Sequence, residues 1–284
     1  MKKIFSILTV LFLIFSTTVF SQTPASSGTL TDQRDAFVEG FITVKGEGSG
    51  PSGRGISSGQ RRIMALRAAK VTALREAAEI IEGVVISGET TLKDASIESD
   101  DIYASVQGVI KGARIVKEDY DPVSEKATVY LSIPLTGPGG LTARLLPEVA
   151  PMATTGAPSY FQPYPGASTA AHDGLIVDCR NYPFRPALIN RVFAASGAVL
   201  YDPAAVTGGP IDGEGGGGAL YTDGIEKARE RLKDLGSSNP LIVEASGLSS
   251  PTDVTVSAED AVQIFASSQE NNFLKKRRVV FVLK

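Results

Sequence analysis

Between Ile63 and Gly112 the chain reads IMALRAAKVTALREAAEIIEGVVISGETTLKDASIESDDIYASVQGVIKG, and its first twenty residues carry neither glycine nor proline. An alanine-rich run of that length predicts a helix, entered at Ser57-Ser58-Gly59 and closed by Glu82-Gly83. Its apolar positions at helical spacing are Met64, Val71, Leu74, Ala78 and Ile81, while Arg67, Lys70, Arg75, Glu76 and Glu79 supply the wet side. One amphipathic helix cannot bury its own stripe. It needs a sheet to lie on, and the flanking segments must provide one.

They do so by pattern. Phe37, Phe41, Ile42 and Val44 mark a first strand that ends at Lys45-Gly46-Glu47-Gly48. Val84 to Leu92 reads as an alternating strand, with Val84, Ile86, Thr90 and Leu92 on one face. Ser99-Asp100-Asp101 is a helix N-cap followed by Ile102, Val106 and Val109 or Ile110, and Gly112 stops that short helix. Ala113 to Asp121 is a strand, Asp121 to Glu125 a turn, and Lys126 to Ile133 a return strand with Ala127, Val129, Leu131 and Ile133 on one face. The expected fold class is α+β: a long helix and a short helix packed on a mainly antiparallel sheet.

The N-terminus carries a different message. Lys2 and Lys3 form a positive start, Ile4 to Phe15 an apolar core and Val19-Phe20-Ser21 a small-residue site, the pattern of a signal peptide cleaved after Ser21. The rival is an uncleaved anchor, for which an apolar stretch ending near Phe20 is short. Lipidation of a mature N-terminal cysteine is excluded, because the chain's one cysteine is Cys179. With a single cysteine there is no internal disulfide either, so the fold must rest on its cores. The formal net charge of -3 becomes more negative once Lys2 and Lys3 are removed, and no basic stripe offers itself to a nucleic-acid backbone.

The glycine-marked exit of the first strand, the helix ALRAAKVTALREAAEIIEGV, then SGETTLKD, VQGVIKGARIVKEDY and KATVYLSIPL together resemble the domain of the LPP-twenty lipoprotein family. The same stretch, about residues 37–135, is similar to the N-terminal domain of flagellar assembly protein T. The resemblance implies a bacterial cell-envelope protein without enzymatic chemistry, whose relatives are often lipid-anchored and in some cases assemble into rings or discs around flagellar motors. This chain lacks the lipidated cysteine, which implies a periplasmic or outer-membrane-associated form with at most peripheral membrane contact. The family has no catalytic residues to carry over.

The domain plan follows. Residues 1–21 are the signal segment, 22–36 a flexible leader, 37–135 the first domain, 136–173 a linker rich in Pro, Gly and Ala, and 174–284 a C-terminal α/β domain. In the linker, Leu141 to Leu146 has material for a single helical turn, and Tyr160, Phe161 and Tyr164 lie among prolines as rings that tuck against a domain or dock on a partner. In the second domain, Leu175 to Cys179 is a buried strand. Leu188, Ile189, Val192 and Phe193 with Val199, Leu200 and Tyr201 suggest a hairpin, and residues 207–218 a glycine-rich loop. Tyr221 to Leu235 reads as a helix, Leu241 to Ala245 and Asp253 to Val256 as strands, Ser257 onward as a capped helix, and Val279 to Leu283 as the last strand. GLIVD, RPALINRVF, NPLIVEASG and RRVVFVL are also similar to a region of envelope proteins that carry the first domain.

Chemistry-bearing candidates are few. Gly48, Gly50 and Gly53 spell GxGxxG, but Pro51 interrupts it, the helix starts late and no GK[ST] follows, so a strand-to-helix connection is the better reading. Asp100 and Asp101 read as a cap and not as metal ligands, His172 as a solvated residue, and Cys179 as a buried inert thiol. Lys275-Lys276-Arg277-Arg278 reads as a solvated corner, with an anionic surface as its alternative partner. No catalytic, cofactor or metal residue is expected. The functional expectation is a scaffold or assembly module that binds other envelope proteins or copies of itself in a ring or stack, with a flagellar setting. The alternative is a hydrolase or binding protein for an envelope polymer, using carboxylates such as Asp178 or Glu244 in an inter-domain cleft.

Overall fold

The computed structural model describes residues 32–137, 139–153, 159–162, 171–206 and 218–284. The leader and signal segment therefore lie outside the described residues, apart from its last few positions. There the chain is not a leader: Gln33–Glu39 is a helix, α1, capped by Asp32 and ended by Gly40 in the left-handed region. Phe37 is buried on this helix and does not begin the first strand.

Strand β1 (Phe41–Ser49), helix α2 (Ser58–Glu82) and the later strands β4 (Arg114–Asp121) and β5 (Lys126–Pro134) build the first domain. The sheet order is β1-β5-β4, antiparallel throughout. Ala127, Val129, Leu131 and Ile133 face inward as expected, and on the opposite face Lys45 and Glu47 pair at 2.7 Å in solvent.

Helix α2 begins at Ser57, whose side chain and that of Gln60 form a reciprocal cap, and it ends at Gly83. Its buried stripe is only in part the expected one: Ile81 is buried and Leu74 and Ala78 pack half-buried against the core, but the centre of the stripe lies elsewhere. Ala65, Ala69, Ala73, Ala77 and Ile81 are buried, whereas Met64 and Val71 are each 48% exposed. The reason is steric. A Cβ on Gly46 would lie 2.2 Å from the Ala69 carbonyl oxygen, and one on Gly48 would lie 2.2 Å from the Ala69 nitrogen. Two glycines on β1 and a ridge of alanines at every fourth position let backbone meet backbone. A larger stripe would hold the helix away.

The stretch from Val84 to Leu92 is not one strand. Val85–Ser87 (β2) and Thr90–Thr91 (β3) form a small hairpin, and Leu92–Glu98 is a helix, α3, with Thr91 and Asp94 as a reciprocal cap. Val84, Val85 and Ile86 are all buried because β2 has neighbours on both sides: its Val85 and Ile86 carbonyls accept from Leu188 N (3.0 Å) and Ile189 N (2.9 Å). Helix α4 (Asp100–Lys111) follows with Ser99 as its N-cap.

The expected linker opens with a third long element. Leu141–Ala153 (α5) is a helix carrying Pro147 and Pro151 on its exposed side, with Leu141, Leu145, Leu146 and Val149 buried. Tertiary burial of that stripe outweighs two prolines that cost backbone hydrogen bonds. Further on, Phe161 N donates to the Val199 carbonyl at 2.9 Å and its ring meets Phe265 edge-on at 5.9 Å, so this ring does tuck against the second domain. Tyr164 lies outside the described residues.

The second domain, from about residue 175, holds a parallel sheet of order β10-β6-β13-β9, made of Pro240–Glu244, Gly174–Asp178, Val279–Val282 and Leu220–Thr222. Tyr221 thus belongs to β9, and helix α6 starts later, at Ile225–Asp234. Ala228 and Leu232 of α6 pack with Ile176, Leu220, Val280 and Val282 on one face of this sheet. A second sheet, β11-β12-β7-β8, contains the expected hairpin of Val192–Ala194 (β7) and Val199–Tyr201 (β8), with Asp253–Val256 (β12) and Gly247–Ser250 (β11), a strand that polar composition hid. Helix α7 (Ala258–Asn271) is capped by Ser257.

The domains share one core. Phe37 of α1 meets the Tyr221 ring edge-on at 5.1 Å, and Gly88 N donates to Thr252 Oγ1 at 2.7 Å. The expected glycine loop, residues 207–218, lies outside the described residues but for Gly218.

Candidate functional site

Parallel strands carry their working groups at their carboxyl ends. There the structure does bring Asp178 and Glu244 together: they are register partners on β6 and β10. Arg180 folds back on Asp178, donating from Nε at 2.9 Å and from Nη2 at 2.5 Å, and Arg180 N adds a third bond at 3.1 Å. The Arg180 hydrogen bond, opposed by partial burial, holds the Asp178 carboxyl below its usual range. A carboxylate so occupied is a poor proton donor at neutral pH. It lacks the raised affinity that an acid catalyst needs.

The deepest charge cluster was not legible. Arg191 Nε donates to Asp202 at 3.0 Å, Nη1 to Ser87 Oγ at 3.2 Å and Nη2 to the carbonyl of Ala153 at 2.7 Å, with Asp253 3.9 Å away. One guanidinium therefore joins β2, the last carbonyl of α5, the residue that follows β8 and the first residue of β12. Burial raises the Asp253 carboxyl, against bonds from Arg191 N and Ser250. Beneath it, the buried Asn190 side chain accepts from Ala187 N at 2.8 Å and bonds Thr252 and Tyr221. These groups spend their polarity on one another, the arrangement of a clasp.

Each singled-out residue now has a place. Gly48 and Gly50 face the backbone of α2, so the glycine pattern serves helix packing. Asp100 and Asp101 occupy the first turn of α4. Cys179 is 1% exposed, and burial pushes its thiol well above the usual range. His172 is partly buried: its Nδ1 lies 3.2 Å from the Asn239 carbonyl and its own carbonyl accepts from Asn271. The basic run is likewise divided. Lys275 and Lys276 are exposed, whereas Arg277 is buried with φ +53° and donates to the Val206 carbonyl at 2.9 Å. Beside His172, Asp173 accepts from Ser237 Oγ (2.6 Å), Ser238 N (2.8 Å) and Asn239 N (2.8 Å). Burial opposes its ionisation, but these bonds outweigh it and hold the carboxyl at about 2. Among the described residues, no three His, Cys, Asp or Glu side chains gather as metal ligands.

What remains open to solvent is surface. On α2, Ile63, Met64 and Val71 point outward. Beside its first turns runs a groove of about 530 Å³ lined by Arg62, Leu66, Glu118, Asp119, Tyr120 and Pro122, between the helix and β4. Ile115 and Val116 of β4 are also exposed. Among the described residues, no helix is long and apolar enough to cross a membrane.

Fold and surface together describe a mixed α+β chain of two domains sharing a core. Residues 174–284 match the family described as Treponema pallidum Tp0624, second domain, which is what the C-terminal domain is similar to. No family match covers the LPP-twenty resemblance of residues 37–135. No curated protein matches the chain.

Proposed function

We propose that this chain is a non-catalytic bacterial cell-envelope protein, exported to the periplasm or held at the outer membrane, that acts as an assembly module through protein–protein contacts. The observation that carries this reading is the register of α2. Its alanines seat it rigidly on β1, and that register turns Met64 and Val71 to solvent on a helix that cannot move to hide them. The LPP-twenty resemblance of residues 37–135 supports the envelope setting and suggests a flagellar one. The buried polar groups support a structural role, since Arg191, Asp202 and Asp253 satisfy one another.

A second reading, a hydrolase or binding protein for an envelope polymer, draws on the side-by-side placement of Asp178 and Glu244. Crosslinking in intact cells, followed by identification of the attached proteins, separates the two. The assembly reading expects Met64→Asp with Val71→Asp to remove specific crosslinks, while Asp178→Asn and Glu244→Gln retain wild-type function. Loss of function in either carboxylate variant, with folding unchanged, would favour the polymer reading instead.

A further inference from the structure

Among the described residues strand β4 is an outer strand of its sheet, and nearly every residue on it is exposed. Its outer edge presents backbone donors: Tyr120 N donates to the carboxylate of its neighbour Asp119, at 2.9 Å. By the two-residue alternation of a strand, the N–H and C=O of Glu118 point the same way. Such an edge is a template for another strand unless something blocks it. Lys117 and a bulge at Val116 offer partial blocks, and the bulge also sets the spacing of the charges.

Counted against β5, the positions opposite Ser132, Leu131, Tyr130, Val129, Thr128, Ala127 and Lys126 are held by Arg114, Ile115, Lys117, Glu118, Asp119, Tyr120 and Asp121. Val116 is the extra residue. The sequence along this edge is therefore antisymmetric in charge about Glu118. We propose that the protein forms a two-fold dimer in which β4 pairs antiparallel with β4 of a second copy, centred on Glu118. The inference rests on the contact-module reading and names one partner for it.

A two-fold axis normal to the sheet keeps inner faces with inner faces. On the outer face it sets Arg114 opposite Asp121 of the second copy, and Lys117 opposite Asp119, each twice. On the inner face it sets Ile115 opposite Tyr120, beside the groove formed by Leu66 and Pro122. Opposite charges directly across a strand pair attract, and an aromatic with a β-branched neighbour packs well. The Asp119 carboxylate that covers Tyr120 N in the single chain is released to Lys117, and the N–H passes to the partner strand. Glu118 meets its own copy at the axis, the one unfavourable contact, which keeps the association weak. A two-fold contact also closes after two copies, so this edge does not propagate into a fibre.

Sedimentation of the purified protein over about a hundredfold range of concentration tests the proposal. A reversible dimer is expected. Lys117→Glu and Asp119→Lys should each weaken it at least about tenfold by opposing like charges, and the two together should restore it to within about threefold. Glu118→Gln should tighten it. Hydrogen exchange at Glu118 and Tyr120 should slow as concentration rises. A monomer at every concentration, or a dimer indifferent to all these variants, overturns the β4 pairing. Such a result with crosslinks to other proteins retained in cells would leave the contact-module reading standing. A β4 dimer without any other envelope partner would keep the pairing and overturn only the expectation that the module also binds other envelope proteins.

Discussion

The Cβ that Gly46 lacks would lie 2.3 Å from the backbone nitrogen of Ala73. No side-chain adjustment relieves an overlap with backbone, so α2 must lift off the sheet if Gly46 gains a methyl group. Gly46→Ala is expected to cost about 3 kcal/mol or more, and Gly48→Ala a similar amount. Gly59, in the first turn of α2, has nothing within 4 Å of its absent Cβ. Gly59→Ala should be neutral or gain up to about 1 kcal/mol. Urea melts of the three variants check the contrast.

The same register separates two faces of one helix. Met64→Ser and Val71→Ser, on the exposed face, should change stability by less than about 0.5 kcal/mol. Ala69→Leu, on the face against Gly48, should cost about 3 kcal/mol through overpacking. Equal effects on both faces would mean that α2 is rotated from the position described.

Arg191 reaches Asp202, Ser87 and Ala153 in three directions from one planar group. Arg191→Ala leaves Asp202 buried without its cation and is expected to cost about 3 kcal/mol. Arg191→Lys should recover less than half of that loss, because an ammonium cannot hold three divergent partners at once. Thermal unfolding measures the cost. Limited proteolysis should show faster cleavage within the last turn of α5, where Ala153 loses its donor.

Asp173 gives stability a pH dependence. Its carboxyl is held at about 2, below its ordinary value of 3.8, so it binds fewer protons folded than unfolded near pH 3. Its contribution is complete above the unfolded value and fades as pH falls through about 2. Allowing for its partial exposure, Asp173→Asn should cost about 1 to 2 kcal/mol at neutral pH and almost nothing at pH 2. A cost that is constant across pH 2 to 7 would assign the loss to packing.

Much of the fold was legible in local signals. Ser57, Ser99 and Ser257 each precede a helix they cap, and Ala127, Val129, Leu131 and Ile133 alternate in a strand with one covered face. Local pattern failed where partners came from far along the chain. Val84 to Ile86 lost their alternation to Leu188 and Ile189, and α5 kept two prolines because four apolar side chains found a core. The candidate sites divided in the same way. Cys179 was readable as buried from its apolar strand, while the partners of Arg191, Asp173 and Arg277 lie 11 to 105 residues away and no spacing announces them.

By itself the sequence determined where α2, α4 and α7 start, that β5 alternates and that the chain holds two domains of mixed class. Those properties follow from contacts within a few residues, and neighbours in sequence are neighbours in any fold. Tertiary structure alone decided which face of α2 is buried, which groups surround Arg191 and which strands lie at the edges of the first sheet. Each of these depends on a distance between segments far apart in the chain, and for α2 that distance is set by how closely glycine and alanine allow two backbones to approach.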